Sequence, residues 1–417
     1  MAIIAEKKQI ETSWDYRNAN TKKVTHCFHS YPAMMIPQVA ERLIATYGKG
    51  ANLLFDPYCG TGTSLVEANI KGINAIGTDL NPLARLIARA KTSIIDIHVL
   101  DLYLKDFNDL AFSLNFGIEK PPVILPKFKN IDFWFSKTVQ EELAVIKKFI
   151  ESISDENIKN FFYVAFSETV RESSYTRNSE FKLYRMSEKQ REKFNPNVFS
   201  LMTNKLSRNK KGLIEYIELI KDKKVYSDIK NFNTVETIGD IEEKSIDIIV
   251  TSPPYGDSKT TVAYGQFSRL ANQWLEIKDA NKIDNKLMGG KRTKIQKLDI
   301  KELDTIIEKI NNIDNKRAQE VFSFYFDYYK SIKNVSKTIK KGGYVCYVVG
   351  NRKVKSITLP TDKITRIFFE QNGFKHIDTF VRNIPSKRMP KRNSPTNEVG
   401  KTETTMNNEF IVVMKKI

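Results

Sequence analysis

The 417-residue sequence predicts an α/β domain with a mostly parallel sheet, interrupted by a helical insertion. Short apolar runs alternate with segments of helical periodicity, which is typical of strands joined by crossover helices. A glycine-containing turn follows one of these runs, and a pair of prolines follows another. A long stretch in the middle of the chain has helical periodicity and few strand signals, which indicates the insertion.

Five short apolar runs are predicted as strands of this sheet. They cover residues 52–55, 74–77, 246–250, 344–349 and 409–414. Residues 1–94 and 231–417 are therefore predicted as the two parts of the sheet domain, and residues 95–230 as the insertion. The later half of the insertion, from Arg171 to Lys224, is basic and polar.

The composition is typical of a globular protein from a reducing compartment. Hydrophobic residues make up 41% and aromatic residues 11% of the chain, enough for a substantial core. No apolar stretch is long enough to cross a bilayer, and the amino terminus lacks the order of a signal peptide. The three cysteines form no C-x-x-C pair, and the His26-Cys27-Phe28-His29 run has no second ligand pair. We therefore expect a cytoplasmic protein with no membrane association and no metal site.

The formal net charge of +18 has two interpretations. One is a lysine bias spread over a solvated surface. The other is a polyanionic partner, because lysine and arginine contacts to phosphates release condensed counterions. Charge alone does not distinguish the two interpretations, and the motifs favour the second.

The segment from Phe55 to Thr63 has the pattern of a ligand-binding turn between a strand and a helix. Gly60 and Gly62 allow a tight turn and a close approach of the backbone to a ligand. The third position of a dinucleotide fingerprint is Leu65 rather than glycine, which argues against NAD. Asp56 repels a pyrophosphate but suits a ligand with an ammonium group and a sulfonium, as in S-adenosylmethionine. The alternative is an ordinary turn with a solvated aspartate.

Asp79 ends the second predicted strand and is the second candidate for a cofactor contact. An acid at this position accepts hydrogen bonds from both ribose hydroxyls of a nucleoside cofactor. Its alternative role is that of a helix N-cap before Pro82. The spacing from the glycine turn favours the ligand.

The tetrapeptide Ser252-Pro253-Pro254-Tyr255 directly follows a predicted strand and Thr251. Consecutive prolines end the strand and present carbonyls without N–H donors. An exocyclic base amine is a poor nucleophile because its lone pair is delocalised into the ring. The Ser252 hydroxyl and the Pro253 carbonyl are two acceptors for its two hydrogens, and Tyr255 could stack on an extruded base. A rigid loop end with no catalytic role is the alternative.

Together the two motifs resemble those of the DNA amino-methyltransferases, which act on N4 of cytosine or N6 of adenine. In that family a D-P-x-x-G-x-G-T turn pairs with an S/N/D-P-P-Y/F tetrapeptide, and serine preceded by threonine is most similar to the cytosine-N4 branch. The resemblance implies a Rossmann-like class I methyltransferase fold with a seven-stranded mixed sheet. It also implies S-adenosyl-L-methionine as the cofactor and direct transfer of its methyl group to a flipped base.

Two softer similarities extend the cofactor site. Residues 29–33 resemble the family's amino-terminal motif, which lies against the methionine part of the cofactor. Gly239-Asp240 resembles the motif whose acid approaches the adenine amine. The predicted cofactor-binding residues are Tyr31, Pro32, Ala33, Asp56, Pro57, Tyr58, Gly60, Thr61, Gly62, Thr63, Asp79, Leu80, Asn81, Asp240 and Thr251.

Candidate DNA contacts lie in three segments that mix cations, amides and aromatic residues. The insertion is the candidate recognition lobe, although its place between the cofactor motifs and the catalytic motif departs from the usual family arrangement. Residues 258–266 could cover the flipped base, and residues 382–392 could contact phosphates. The predicted DNA-binding residues are Arg171, Tyr175, Arg177, Lys182, Arg185, Lys259, Lys387, Arg388, Lys391 and Arg392.

These features predict a site-specific DNA methyltransferase that acts on N4 of cytosine in double-stranded DNA. N6-adenine methylation, RNA amine methylation and a non-catalytic cofactor-binding specificity subunit remain as alternatives. A C5-cytosine enzyme is disfavoured because the chain has no Pro-Cys dipeptide to supply a thiolate nucleophile. The resemblance also implies a companion restriction endonuclease and, through DNA binding, association with the nucleoid.

Overall fold

A computed structural model describes residues 10–115, 121–178, 180–258, 260–384, 392–393, 403–404 and 406–417. Its strands are β1 (Leu53–Asp56), β2 (Asn74–Thr78), β3 (Ser227–Lys230), β4 (Ile246–Thr251), β5 (Ile339–Val349), β6 (Lys353–Val354), β7 (Ile357–Thr358), β8 (Phe374–Asn383), β9 (Arg392–Asn393), β10 (Glu403–Thr404) and β11 (Asn408–Lys416).

The described helices include two long runs, seven between β2 and β3 and four between β4 and β5. They are α1 (Pro37–Tyr47), α2 (Thr63–Ile70), α3 (Pro82–Thr92), α4 (Ile97–Asn115), α5 (Ile131–Trp134), α6 (Lys137–Glu151), α7 (Glu156–Ser173), α8 (Glu188–Glu192), α9 (Val198–Ile220), α10 (Tyr264–Trp274), α11 (Ile283–Lys286), α12 (Lys301–Ile313), α13 (Asn315–Thr338) and α14 (Thr361–Glu370), with short 3₁₀ helices at Thr12–Trp14 and Val24–Phe28. No helix in the described ranges is both long and apolar enough to span a membrane.

Seven strands form one mixed sheet in the order β3-β2-β1-β4-β5-β11-β8. The first five of these strands run parallel, and β11 pairs antiparallel with both β5 and β8. This arrangement confirms the predicted Rossmann-like α/β fold with a seven-stranded mixed sheet. All five predicted strands are present in it.

Alternating residues of the central strands enter two different cores, as the period of a strand requires. In β1, Leu54 packs with α1 and α2 on one face, whereas Phe55 packs with α13 and α14 on the other. In β4, Ile248 belongs to the same core as Leu54, and Ile249 belongs to the same core as Phe55. Because both faces are covered by helices, these strands are nearly continuous apolar runs, which is why the sequence revealed them.

The two strands that the sequence did not reveal, β3 and β8, lie at the two edges of the sheet. The strand β3 has one buried apolar residue, Ile229, among polar neighbours. It pairs with β2 although it lies within residues 95–230, the range predicted as a helical insertion. The boundaries of that insertion remain predictions.

Helices α4, α5, α6, α7 and α9 share one hydrophobic core with α3 and α10 rather than enclosing a separate one. Trp274 of α10 is fully buried, and its ring centroid lies 6.2 Å from that of Phe166 in α7 and 5.6 Å from that of Phe135. Aromatic side chains bury large areas, so these contacts hold the helical layer firmly against the helices that flank the sheet.

Replacing Phe166 with alanine tests this shared core. We expect Phe166→Ala to lower the free energy of unfolding by about 3–5 kcal/mol, because it leaves a cavity under Trp274. Urea unfolding followed by far-ultraviolet circular dichroism measures the change. Leu102→Ala is the matched control, since Leu102 is 64% exposed, and should change stability by less than about 0.5 kcal/mol. Equal effects of the two variants would contradict a shared core.

Candidate active site

The carboxyl ends of β1, β2 and β4 lie side by side and open onto one cavity. This position is expected, because parallel α/β sheets bind ligands beyond the carboxyl ends of their strands. The cavity is lined by Tyr31, Pro32, Ala33, Met34, Met35, Asp56, Tyr58, Cys59, Gly60, Thr61, Thr63, Asp79, Asn81, Ser252, Pro254, Tyr264 and Leu287. The predicted cofactor motifs and the predicted catalytic motif therefore meet in one place.

Asp56 is buried at the end of β1 and is held by three hydrogen bonds. The Thr251 hydroxyl donates to its Oδ1 at 2.5 Å, the Tyr58 backbone N–H donates to the same oxygen at 3.1 Å, and the Ser64 hydroxyl donates to Oδ2. Burial raises the pKa of Asp56 to about 6, although the donated hydrogen bonds oppose that shift. The carboxylate is thus positioned but poorly stabilised in its charged form, and a cationic ligand would stabilise it.

The glycine turn between β1 and α2 needs glycine for two separate reasons. Gly60 and Gly62 have φ angles of 49° and 78°, in the left-handed region that L-residues rarely adopt. At Gly62 there is also no space, since a Cβ would lie 3.0 Å from the Cβ of Ala88 in α3. The turn therefore packs tightly against α3 while its backbone faces the cavity.

Asp79 follows β2 and is half-buried, with both carboxylate oxygens engaged. Its Oδ2 accepts from the Gly60 backbone N–H at 3.1 Å, and its Oδ1 accepts from the Asn81 backbone N–H at 2.7 Å. Burial raises its pKa above the usual range. Asp79 thus fixes the glycine turn and retains lone pairs for further donors. Asn81, rather than Asp79, caps α3, because its side chain accepts from Leu83 N–H.

Thr61 provides the clearest sign that a polar ligand completes this cavity. Its side chain is buried in the cavity wall, and its Oγ1 has no hydrogen-bond partner in the described structure. A buried hydroxyl without a partner costs free energy, so a ligand that bonds to it is favoured. The carboxylates of Asp56 and Asp79, the Thr61 hydroxyl and the Tyr31 ring together fit a ligand with cationic groups, ribose hydroxyls and an apolar surface.

The amino-terminal motif reaches the cavity through Tyr31. Its hydroxyl accepts from the Asn81 side-chain amide at 2.8 Å, and its ring stacks on Tyr264 with centroids 6.0 Å apart. Ala33 adopts a φ of 53° and also lines the cavity. The neighbouring His29 is fully buried, and burial lowers its pKa to about 4, so it is neutral at physiological pH.

The catalytic tetrapeptide contributes Ser252 and Pro254 to the cavity wall. The Ser252 hydroxyl is within donating distance of two acceptors, the Val348 carbonyl at 3.1 Å and the Tyr255 Oη at 3.3 Å. The Tyr255 hydroxyl donates to Oε1 of Glu409 at 3.0 Å. Pro253 is buried and Tyr255 is half-buried, and neither lines the cofactor cavity.

The structure places Asp240 outside the lining of this cavity. This residue is exposed, pairs with Lys230 at 2.8 Å and does not line the cavity. The solvated loop before β4 offers it an ion pair at the surface instead of a ligand. Pro57, Gly62, Leu80 and Thr251 also do not line the cavity; of these, Thr251 and Gly62 shape the site through Asp56 and α3.

Five cavity residues were predicted neither as cofactor contacts nor as catalytic residues: Met34, Met35, Cys59, Tyr264 and Leu287. Met34 and Met35 directly follow the predicted segment 31–33, and Cys59 lies inside the glycine turn, so extending both motifs would have found them. Tyr264 falls within residues 258–266, which were predicted to cover the base. Leu287 carries no sequence signal that links it to the site.

The predicted DNA contacts divide into three groups. Arg171 is buried and donates to the carbonyls of Phe267 at 3.2 Å and Glu180 at 2.5 Å, so the structure contradicts a phosphate contact for it. Four others lie in the hairpin that follows α7 and have half-buried or exposed side chains: Tyr175, Arg177, Lys182 and Arg185. Lys259, Lys387, Arg388, Lys391 and the side chain of Arg392 lie outside the described residues.

The hairpin after α7 is built from backbone hydrogen bonds and a stack of cations on aromatic rings. Arg177 N–H donates to Tyr184 O, and Met186 N–H donates to Tyr175 O, both at 2.8 Å. The Arg185 guanidinium lies 3.8 Å from the ring centroid of Phe133.

Within the described ranges, no cluster of three or more His, Cys, Asp or Glu side chains could hold a metal ion.

Comparison with known proteins gives the family. A family model described as DNA methylase matches residues 4–89. The type II methyltransferase M.MvaI of Kocuria varians is 40% identical over 425 residues, which cover 96% of this chain and 93% of that relative. The type II methyltransferase M.MjaII of Methanocaldococcus jannaschii is 29% identical over 188 residues, which cover 42% of this chain and 34% of that relative.

Among solved structures, a DNA modification methylase of Thermus thermophilus in complex with S-adenosyl-L-methionine aligns over 44% of this chain and 53% of its own. The identity is 15% and the TM-score is 0.22, so this likeness supports no conclusion about function. The similarity to M.MvaI, in contrast, extends over nearly the whole of both chains. The chain therefore belongs to the DNA amino-methyltransferase family, whose cofactor is S-adenosyl-L-methionine.

Proposed function

We propose that this DNA methyltransferase transfers the methyl group to the exocyclic N4 amine of cytosine. Methylation of DNA with S-adenosyl-L-methionine follows from the family, and the target amine is the proposed part. The observation that carries it is the position of Ser252, whose side chain lines the same cavity as Asp56 and Asp79. A serine-proline-proline-tyrosine motif preceded by threonine is also most similar to the cytosine-N4 branch.

The residues of this cavity suit the binding of the cofactor in one orientation. Asp56 would face the cationic methionine part, Asp79 would accept from the ribose hydroxyls, and the unpaired Thr61 hydroxyl would bond to a polar group of the ligand. Tyr31, buried beside Asn81, would cover the ligand with its ring. The cofactor supplies an activated methyl group on its sulfonium.

The protein's own contribution to the reaction is the placement of hydrogen-bond acceptors. Ser252 Oγ and the Pro253 carbonyl would each accept one hydrogen of the target amine, which directs the amine lone pair towards the methyl group. Tyr255 would stack on the flipped base, which holds the amine at this point. No covalent intermediate between enzyme and base is required.

DNA is proposed to lie across the hairpin after α7 and the catalytic loop. The Leu183 backbone N–H donates to Oε1 of Gln266 in α10 at 3.4 Å, so the hairpin lies against the helix that follows the catalytic loop. Arg177 and Lys182 on this hairpin carry charge that phosphates would neutralise. The chain's net charge of +18 supports a polyanionic partner.

The relatives' description as type II methyltransferases supports a role as the modification enzyme paired with a restriction endonuclease.

Nucleoside mass spectrometry after methylation tests the target base. The full-length protein is incubated with unmethylated DNA of mixed sequence and isotopically labelled S-adenosyl-L-methionine. We expect N4-methylcytosine as the labelled nucleoside. Ser252→Ala should reduce the product at least about a hundredfold, because removing an acceptor that acts in the transition state costs about 3 kcal/mol. Its affinity for the cofactor should remain unchanged.

Each other outcome of that experiment contradicts a defined part of the proposal. Labelled N6-methyladenine would keep the chemistry and replace the target base. Label in RNA but not in DNA, when both are offered together, would overturn the assigned substrate. Full activity of Ser252→Ala would overturn the role of the serine.

The pH dependence of cofactor affinity tests the proposed role of Asp56. Since its pKa in the ligand-free protein is raised to about 6, the carboxyl is mostly ionised at pH 7 and mostly neutral at pH 5. A cationic ligand prefers the ionised form, so the dissociation constant should rise about tenfold from pH 7 to pH 5. Isothermal titration calorimetry measures it. Asp56→Asn should bind weakly with little pH dependence; a steep dependence in that variant would exclude Asp56 as the titrating group.

A further inference from the structure

A chain of four polar side chains leads from the catalytic serine into the sheet. The Ser252 hydroxyl lies 3.3 Å from the Tyr255 Oη, and the Tyr255 hydroxyl donates to Oε1 of Glu409 at 3.0 Å. Oε2 of Glu409 accepts from Nη1 of Arg382. Glu409 and Arg382 are directly opposite each other in β11 and β8.

Arg382 anchors the far end of this chain to the backbone. Its Nε donates to the Trp14 carbonyl at 2.8 Å and its Nη2 donates to the Asp15 carbonyl at 3.2 Å. The Arg382 side chain is 5% exposed and that of Glu409 is 17% exposed. An ion pair with so little solvent and so many fixed donors holds the Glu409 carboxylate in one place.

The direction of each hydrogen bond in this chain follows from the chemistry of its groups. A tyrosine hydroxyl has one hydrogen, and a bond to a carboxylate is about twice as strong as one to a neutral acceptor. The Tyr255 hydrogen is therefore committed to Glu409, and only lone pairs of its Oη face Ser252. The other partner of Ser252, the Val348 carbonyl, is also an acceptor. Each partner of Ser252 in the described structure is thus an acceptor for its single hydrogen, and neither donates to it.

We infer that Glu409 is a positioning residue that makes the Ser252 hydroxyl an acceptor towards the cavity. With its hydrogen directed to Tyr255, Ser252 Oγ presents lone pairs to the amine of the target base, and the Glu409 charge behind Tyr255 strengthens Oγ as an acceptor, because hydrogen bonds in a chain polarise one another. Removing either the carboxylate or the Tyr255 hydroxyl ends this polarisation and leaves Ser252 Oγ a weaker acceptor. This inference rests on the proposed role of Ser252 in accepting an amine hydrogen.

The inference gives Tyr255 a second task besides stacking. Its ring would contact the base, while its hydroxyl transmits the charge of Glu409 to the serine. Tyr255→Phe keeps the ring and the pair between Glu409 and Arg382, and removes only the hydroxyl. Glu409→Gln keeps the shape of the side chain and removes the charge. If the inference is correct, the two substitutions remove the same interaction from its two ends.

A double-mutant cycle measured by single-turnover methylation tests this directly. The full-length variants are used in excess over unmethylated DNA, at saturating labelled S-adenosyl-L-methionine. Glu409→Gln and Tyr255→Phe should each lower the rate about tenfold, the effect of one hydrogen bond that strengthens in the transition state. The double variant should be no slower than either single variant, because the interaction can be lost only once. The cofactor dissociation constant should stay at the wild-type value.

Asp378→Asn is the matched control, since it removes an exposed acid from the same strand pair, opposite Val413, and should keep the wild-type rate. A wild-type rate in Glu409→Gln or in Tyr255→Phe would overturn the inference. Losses that multiply to about a hundredfold in the double variant would also overturn it, since they would mean that Glu409 acts independently of Tyr255.

Two further outcomes separate this inference from the proposed function. If Ser252→Ala is inactive while Glu409→Gln is fully active, the serine keeps its role and only the inference fails. If Ser252→Ala is fully active, the proposed role of the serine fails and the inference fails with it. Should Glu409→Gln not fold, Tyr255→Phe alone decides, because a wild-type rate in that variant excludes any action of Glu409 through the tyrosine.

Discussion

The arrangement of the active site depends on one buried hydrogen bond, from Thr251 Oγ1 to Asp56 Oδ1 at 2.5 Å. Asp56 opens the glycine turn that forms the cofactor site, and Thr251 directly precedes the catalytic tetrapeptide. The two residues are 195 positions apart in the chain, yet β1 and β4 are neighbouring parallel strands. The bond therefore sets the position of the cofactor loop relative to the serine, which a methyl transfer between two bound groups requires.

The protein's own groups compensate the negative charges of Asp56 and Asp79 only in part. Asp56 is buried and Asp79 is half-buried, desolvation raises the pKa of each, and the charge of Asp79 raises that of Asp56 further. Hydrogen bonds from Thr251, Ser64 and backbone N–H groups stabilise the carboxylates only in part. A cationic cofactor would supply the charge that these two acids lack.

Much of this account could be predicted from the sequence, and the exceptions have physical reasons. Asp56, Gly60, Asp79 and Ser252 were predicted at one site from two motifs, and the structure places all four around one cavity. The edge strand β3 was missed because an edge strand needs few apolar residues. The surface position of Asp240 was not foreseen because a short motif does not reveal whether its side chain turns inward or pairs with a surface lysine.

The sequence could not predict which residues contact one another across the sheet. Glu409 meets Tyr255 only because β11 inserts antiparallel between β5 and β8, and no local pattern around residue 409 gives that register. Arg171 was mistaken for a DNA contact because its basic, polar surroundings resemble an exposed surface. In the structure it is buried against α10, where its charge is satisfied by two carbonyls and the Phe267 ring.

The cofactor affinity of Thr251→Val tests the central claim most directly. Valine has nearly the same shape as threonine but lacks the hydroxyl, so the fold should persist while the Asp56 carboxylate loses one of its donors. Loss of that donor disfavours the charged form of Asp56 and frees the glycine turn from β4. We expect the dissociation constant for S-adenosyl-L-methionine, measured by calorimetry at pH 7, to rise about tenfold, the equivalent of about 1.4 kcal/mol. A wild-type dissociation constant in a folded variant would contradict the claim that this bond organises the site.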